Sequence, residues 1–263
     1  MRRNELSHVL RSGSPAICGW ISIDSPYLAE ILSHSGYHAV TVDLQHGMFG
    51  LSTAIDLLRA IGGGPATPLA RCPSLDPALI GKLLDGGAYG IICPSIDTAD
   101  LAAEFVAACT YPPTGTRSFG PSRGLLYGGP DYVDQADDTI QTWAMIESAP
   151  GLENLDAILA TPGLDGVYVG PNDLALALGE TPAQAELPQR TARACRRIAD
   201  AARAAGRWAG MFTSNVAISR QALDWGYQLV TPGNDAAILR TAVAERIAGI
   251  RGTATGPLAG GGY

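Results

Sequence analysis

The residues of this sequence that could do acid–base chemistry come directly after apolar, β-branched runs. Residues 39–42 form such a run, and Asp43, Gln45 and His46 follow it, so a carboxylate, an amide and an imidazole lie close together. The run predicts a strand buried on both faces. Polar side chains at its end are typical of the edge of an α/β sheet that carries the chemistry. A strand followed by an Asx-type turn is the alternative for this stretch alone.

The same pattern recurs further along the chain. Arg71 and Glu147 end a third and a fifth apolar run, and Asn172 and Asp173 follow a sixth. Each has a simpler interpretation: Arg71 as an ion-pair partner at the rim, Glu147 as an N-cap-like acid, and Asp173 as the cap of the helix that it begins. If the strand ends converge, however, they place two carboxylates, an imidazole and a guanidinium in one shared mouth.

That set predicts a divalent metal site. Glu147 and Asp173 would supply only oxygen ligands, which favours Mg²⁺ or Mn²⁺ over zinc, with Co²⁺ as a further option. The remaining coordination positions would be open to water and substrate. A 2-oxo acid could then chelate the metal, which would act as a Lewis acid and stabilise the enolate formed by loss of a C3 proton.

The other polar residues of the mouth would act on the substrate. Arg71 would neutralise charge on the enolate oxygen, and His46 is the natural general base by its pKa range. Backbone N–H groups that open the helix after residue 170 would receive the substrate carboxylate. The predicted substrate-binding residues are therefore Arg71, Gly170, Pro171, Asn172 and Asp173.

The elements that must position these residues alternate regularly between strand and helix. After a leading N-terminal helix, strands are predicted at residues 16–22, 39–44, 67–72, 90–94, 142–147, 166–170, 208–212 and 228–232, with helices between them. Eight βα units favour an α/β fold with a parallel sheet closed into a (β/α)₈ TIM barrel. An open doubly wound sheet is the alternative, but the sequence contains neither GxGxxG after the first strand nor GxxxxGK[ST].

Composition limits the organisation and the partners of the chain. We expect one barrel domain over residues 1–251, a long irregular segment at 111–129, and a mobile Gly-rich tail at 252–263. Charged residues are only 16%, which indicates a surface partly covered by other subunits, and the net charge of −7 argues against nucleic acid. Five cysteines without a CxxC pair fit small core residues in a reducing cytoplasm. No signal peptide or membrane span is predicted.

The chain has a single lysine, Lys82, which falls within a predicted helix. An aldolase of the Schiff-base type needs a lysine nucleophile in the mouth, and Lys82 is badly placed for that role. Aldol chemistry in this chain is therefore expected to depend on a metal.

Seven motifs carry a resemblance to a known family. They lie in order at residues 42–47 (Val-Asp-Leu-Gln-His-Gly), 69–71 (Leu-Ala-Arg), 83–88 (Leu-Leu-Asp-Gly-Gly-Ala), 111–117 (Tyr-Pro-Pro-Thr-Gly-Thr-Arg), 145–147 (Met-Ile-Glu), 153–156 (Glu-Asn-Leu-Asp) and 170–174 (Gly-Pro-Asn-Asp-Leu). In order and spacing they resemble the HpcH/HpaI aldolases. This family comprises class II pyruvate aldolases, including 4-hydroxy-2-oxoheptanedioate and 2-dehydro-3-deoxyglucarate aldolases.

The resemblance implies roles for five residues. Glu147 and Asp173 would bind the metal, and Arg71 would be the cation that stabilises the enolate. His46 would be the base, acting through a water molecule on the metal, and Asp85 would raise its basicity. The resemblance also implies a homo-oligomer, a trimer or a hexamer, in which the last helix is exchanged between partners.

The sequence departs from the family pattern at two positions of the expected site. Gln45 stands where many members carry glutamate, and Met145 stands where several members carry a substrate-contacting glutamine. Both changes leave the identity of the aldehyde and of the keto acid open. Ser122 and Arg123 belong to a segment, residues 118–124, that we expect at the mouth, where they are either substrate contacts or surface loop residues.

We therefore expect a cytoplasmic carbon–carbon lyase. It would cleave a 4-hydroxy-2-oxo acid reversibly to an aldehyde and pyruvate, or a donor resembling hydroxypyruvate. The alternatives are a citrate-lyase-β-like cleavage of an acyl-CoA, a non-catalytic barrel that binds keto acids, and other enolate chemistry such as decarboxylation.

Overall fold

The strands form one closed barrel. The computed structural model describes residues 1–253, and in it eight parallel strands pair in chain order, with the first also pairing with the last. They are β1 (Ala16–Ile21), β2 (Ala39–Asp43), β3 (Thr67–Arg71), β4 (Gly90–Cys93), β5 (Gln141–Ile146), β6 (Gly166–Val169), β7 (Trp208–Thr213) and β8 (Leu229–Pro232). The predicted (β/α)₈ barrel with a leading helix is confirmed.

Helices surround the barrel and connect its strands. They are α1 (Glu5–Arg11), α2 (Pro26–Ser33), α3 (Leu51–Gly62), α4 (Pro77–Gly86), α5 (Ala99–Cys109), α6 (Ser122–Tyr127), α7 (Tyr132–Thr139), α8 (Ala149–Glu153), α9 (Leu155–Leu159), α10 (Pro171–Ala177), α11 (Gln189–Ala204), α12 (Val216–Trp225) and α13 (Asp235–Arg251). Within residues 1–253, none of them has the length and apolar character needed to cross a bilayer. The tail predicted at residues 252–263 lies, from residue 254 onward, outside the described residues.

The helix α1 closes the N-terminal end of the barrel. Leu6 and Leu10 pack with the side chains that fill the barrel interior. Asn4 caps the helix by accepting from the N–H of Ser7, while its amide donates to the carbonyl of Tyr89 at 3.1 Å. Because this end is plugged, the open mouth is the opposite end, where the strands finish.

The barrel separates two layers of core. The interior holds large side chains, including Trp20, Trp143, Met145 and Tyr168. A second, mainly aliphatic layer lies between the strands and the surrounding helices. All five cysteines are free and buried, as expected for core residues.

The expectation of an irregular segment at residues 111–129 is partly wrong. The segment contains α6, and α7 follows it. The glycines here serve close packing rather than irregularity: a Cβ on Gly124 or Gly128 would lie 2.8 or 2.5 Å from the ring of Tyr132. Tyr132 is fully buried against these glycines, so the small residues that look like loop signals are part of a helix–helix contact.

The connection between β5 and β6 also differs from the single helix expected between successive strands. The structure has α8 and α9 in its place, and they meet at Asn154. The side-chain amide of Asn154 donates to the carbonyl of Asp97 at 2.8 Å, which ties this junction to the loop after β4.

Candidate active site

Strand register brings the first two site residues together. In the β2–β3 pairing, Asp43 lies directly opposite Arg71, and each is the last residue of its strand. The guanidinium donates to both carboxylate oxygens, from Nε at 2.8 Å and from Nη2 at 2.6 Å. Both side chains are buried. The ion pair foreseen as the simpler role of Arg71 therefore exists, and it holds the guanidinium at the mouth.

The carboxylate of Asp43 is the centre of a wider hydrogen-bond network. The indole N–H of Trp20 donates to it at 3.1 Å, and the backbone N–H groups of Gln45 and His46 donate at 3.1 and 3.3 Å. Burial alone would raise the pKa of Asp43, but the hydrogen bonds and charge of Arg71 outweigh it and hold the pKa below its usual value. Asp43 is therefore ionised, and it orients both Arg71 and the loop that carries His46.

Glu147 follows β5 directly and is 8% exposed. Its Oε1 accepts from the backbone N–H of Ser95 at 3.0 Å, and the hydroxyl of Ser95 lies 3.5 Å from the same oxygen. Burial, together with the negative charge of Asp173, raises the pKa of Glu147. The cap of α8 is Ser148, so Glu147 does not have the capping role considered from the sequence.

A glycine allows the loop that carries Asp173 to lie against Glu147. Gly170 follows β6 and precedes α10, and a Cβ at this position would lie 2.6 Å from Oε2 of Glu147. Asp173 lies in the first turn of α10 and is exposed. The helix has no side-chain cap, so Asp173 does not serve as one. Its carboxylate is available at the mouth.

A cavity of about 150 Å³ occupies the mouth. His46, exposed on the loop after β2, is part of its wall. The lining residues are Trp20, His46, Arg71, Met145, Tyr168, Gly170, Pro171, Asn172, Asp173 and Phe212. Polar groups at or just after the ends of β2, β3 and β6 therefore line one cavity together with aromatic side chains of β1, β6 and β7.

The donor set fits a hard divalent cation that is only partly coordinated by protein. Within residues 1–253, no group of three or more His, Cys, Asp or Glu side chains is arranged to hold a metal. The mouth instead offers two carboxylates, Glu147 and Asp173, whose repulsion contributes to the raised pKa of Glu147. A cation would relieve that repulsion, and water and substrate oxygens would complete its coordination, as Mg²⁺ and Mn²⁺ accept.

Most of the predicted site residues meet at the mouth, but Asp85 and Ser122 do not. Asp85 lies in the last turn of α4, which runs back to the N-terminal end of the barrel, opposite to His46. There it pairs with Arg117 at 2.7 Å. Ser122 begins α6, where the next residue, Arg123, donates to the carbonyl of Gly86. The expectation that residues 118–124 form part of the mouth is wrong within one chain, because they pack against the end of α4.

The two positions that depart from the family pattern have different surroundings. Met145 is buried and lines the cavity from β5. Gln45 is half-buried, and its side-chain Oε1 is buried without a hydrogen-bond partner.

Four residues at the mouth were missed from the sequence: Trp20, Ser95, Tyr168 and Phe212. Trp20 lies 4.9 Å from the guanidinium of Arg71 and stacks on Tyr168 at 5.7 Å. The sequence does carry a signal for Trp20, Tyr168 and Phe212. Each is the second-last residue of its strand, and the period-2 alternation of strand side chains places it inside the barrel. Ser95 carries no such signal.

The chain belongs to the HpcH/HpaI aldolase/citrate lyase family, whose model matches residues 17–242. The resemblance found in the sequence is therefore confirmed.

Individual relatives are similar over nearly the whole chain. A hydroxypyruvate/pyruvate aldolase of Rhizorhabdus wittichii is 38% identical over 94% of this chain and 99% of its own length. A 5-keto-4-deoxy-D-glucarate aldolase of Klebsiella pneumoniae is 35% identical over 92% of this chain and 94% of its own. The crystal structure of a family protein from Burkholderia cenocepacia J2315 has a TM-score of 0.88 at 32% identity, covering 94% and 99% of the two chains. The relatives' names agree with the predicted class of carbon–carbon lyase.

Proposed function

We propose that this protein catalyses the reversible aldol cleavage of a 4-hydroxy-2-oxo acid to an aldehyde and pyruvate, or a donor resembling hydroxypyruvate. The observation that carries the proposal is one cavity of about 150 Å³ lined by Arg71, His46 and Asp173. The loop that carries Asp173 packs against the buried carboxylate of Glu147. The names of the two aldolase relatives support the same reaction.

Glu147 and Asp173 would hold the metal ion, and divalent metal dependence is a general property of the family. When bound, the ion supplies Lewis acidity that stabilises negative charge on the substrate's oxygens. We propose Mg²⁺, Mn²⁺ or Co²⁺ as this ion. Because Glu147 has a raised pKa, protons compete with the cation for this ligand at acidic pH.

The chain's own residues then divide the remaining work. In the cleavage direction a base removes the proton of the C4 hydroxyl, the C3–C4 bond breaks to release the aldehyde, and the electron pair moves toward the 2-oxo oxygen before C3 is protonated. His46 lies at the cavity wall, and its imidazole would serve as the base. Arg71, fixed by its two bonds to Asp43, would stabilise the charge on the 2-oxo oxygen.

The substrate's carboxylate would meet the loop between β6 and α10. Gly170, Pro171 and Asn172 line the cavity, and no side chain caps the N–H groups of this turn. Trp20 and Phe212 also line the cavity, where they pack edge to face at 5.5 Å and would exclude water from the reacting carbons.

We also propose that the protein is a homo-oligomer in which α13 of one copy packs on another. Five apolar side chains of α13 are between 43% and 88% exposed: Ile238, Leu239, Val243, Ile247 and Ile250. Ile17 on the outer face of β1 is 41% exposed, although outward positions of barrel strands are normally covered by helices. The uncovered strand and the uncovered helix are complementary surfaces on the same chain.

The oligomer has a direct test and a consequence for Asp85. Replacing Val243 and Ile247 by glutamate should yield smaller particles in light scattering coupled to gel filtration; an unchanged mass would contradict the proposal. Because Asp85 lies at the barrel end opposite to His46, any contact between them requires a second copy of the chain.

Five free, buried cysteines are compatible with a reducing cytoplasm, the location that we propose.

The reaction is tested by pyruvate release from a panel of 4-hydroxy-2-oxo acids, with Mg²⁺ or Mn²⁺ and again after chelation. We expect release that chelation abolishes and added metal restores. Release that survives complete metal removal would contradict the proposed mechanism, and a panel without any release in the presence of bound metal would contradict the proposed reaction.

A further inference from the structure

Ser95 has an unusual backbone conformation at the edge of the mouth. It lies two residues after β4, with φ at +54°, and is the one non-glycine residue within residues 1–253 that has a positive φ. In this left-handed region a Cβ is crowded, and glycine is the residue that adopts it without strain. A serine kept in a strained conformation beside a site points to a use for that conformation.

The conformation aims two donors at one oxygen of Glu147. The N–H of Ser95 reaches Oε1 at 3.0 Å, and the hydroxyl lies 3.5 Å from the same atom. On the other side, Oε2 lies against Gly170, where a Cβ would come within 2.6 Å. Two loops therefore hold one carboxylate: the loop after β4 takes Oε1, and the loop that carries Asp173 lies against Oε2.

We propose that Ser95 is a positioning residue that fixes the rotation of the Glu147 carboxylate, so that Oε2 is presented as a ligand on the side of Asp173. The inference rests on the proposed metal site and adds the residue that sets its geometry. A hydrogen-bonded partner behind a ligating carboxylate is the arrangement by which proteins orient metal ligands and tune affinity.

This role predicts that stability and metal affinity respond in opposite directions to one substitution. Ser95→Gly removes the strain of the left-handed conformation, which outweighs the flexibility that glycine adds to the unfolded chain. The same substitution removes the hydroxyl and loosens the loop that aims the N–H. Ser95→Ala removes the hydroxyl but keeps the strain, so it isolates the contribution of the hydroxyl.

The test uses the full chain and two measurements. The affinity for Mn²⁺ is read from the electron paramagnetic resonance signal of the free ion, and the melting temperature is measured in the presence of a chelator. For Ser95→Gly we expect a melting temperature about 1–3 °C higher and an affinity for Mn²⁺ about tenfold weaker. For Ser95→Ala we expect a melting temperature no higher than that of the wild type and an affinity that is weaker than the wild type's but stronger than that of Ser95→Gly.

Ser74 provides the control, because it is an exposed serine in the loop after β3. Ser74→Gly should leave the affinity for Mn²⁺ unchanged. Unchanged affinity in Ser95→Gly would overturn the inference, and so would a fall in both its affinity and its melting temperature, since that is what a merely structural role predicts. A wild-type chain that binds no Mn²⁺ would overturn the proposed metal site itself, and the inference with it.

Discussion

Replacing Gly170 with alanine should move a proposed metal ligand without straining the backbone. Gly170 has φ −94° and ψ 91°, which alanine adopts readily. The added Cβ, however, would lie 2.6 Å from Oε2 of Glu147 and 3.2 Å from Cε of Met145. To restore ordinary contact at 3.4 Å, starting from 2.6 Å, the carboxylate oxygen must retreat by 0.8 Å.

The carboxylate has little freedom to make that retreat, because Ser95 already holds Oε1 at 3.0 Å. Either that hydrogen bond lengthens or Oε2 leaves the position facing Asp173. A displacement of about 1 Å at a reacting centre can cost about 100-fold in rate. We therefore expect kcat/KM for pyruvate release to fall by about 10- to 100-fold in Gly170→Ala, with a parallel loss of affinity for Mn²⁺.

The matched control is Gly50→Ala. Gly50 is also the N-cap of a helix, with φ −98° and without a capping side chain, but a Cβ there meets nothing within 4 Å. Both variants therefore carry the same small loss at an N-cap, and only Gly170→Ala crowds Glu147. If Gly170→Ala keeps kcat/KM within twofold of the Gly50→Ala value, the placement of Glu147 described here is wrong.

Two further predictions concern the buried charges. Asp43→Asn removes one partner of the buried Asp43–Arg71 ion pair, so we expect a loss of about 3–5 kcal/mol in the free energy of unfolding, measured with urea; a loss below about 1 kcal/mol would contradict the buried pair. Burial and the charge of Asp173 raise the pKa of Glu147, so the ionised form of Glu147 opposes folding. The stability that the protonated form contributes at low pH is therefore lost as the pH rises through the raised pKa. Metal-free Glu147→Gln should therefore melt above the wild type at neutral pH, with a difference that disappears on acidification, and a difference independent of pH would refute the assignment.

The barrel could be predicted from the sequence because its signals are local. Each strand is an apolar run followed by a helix, and the residues that end such runs, Asp43, Arg71 and Glu147, come to one mouth because parallel strands finish at the same end. To predict the ion pair between Asp43 and Arg71, one would also need to know the register of β2 against β3.

The sequence could not supply two kinds of information: the barrel end at which a helix residue lies, and the backbone conformation of a single loop residue. Only the family resemblance gave Asp85 a role at the site. It lies in the last turn of α4, and a helix that runs antiparallel to its strand ends at the opposite side of the barrel. Ser95 acts through a backbone N–H aimed by a left-handed conformation, and no residue pattern reveals that. The glycines around Tyr132 suggested a loop because close packing and chain flexibility use the same residue.

The most direct test of the central claim is exchange of the methyl protons of pyruvate in D₂O, followed by proton NMR. This measurement asks whether the mouth removes a proton from C3 without requiring the aldehyde to be known. We expect loss of the methyl signal with wild-type protein and Mg²⁺ or Mn²⁺, no loss after chelation, and recovery of exchange when metal is added back. Glu147→Gln should slow this exchange, while Gly50→Ala should not. A methyl signal that persists with wild-type protein and metal would contradict metal-dependent removal of the C3 proton at this mouth.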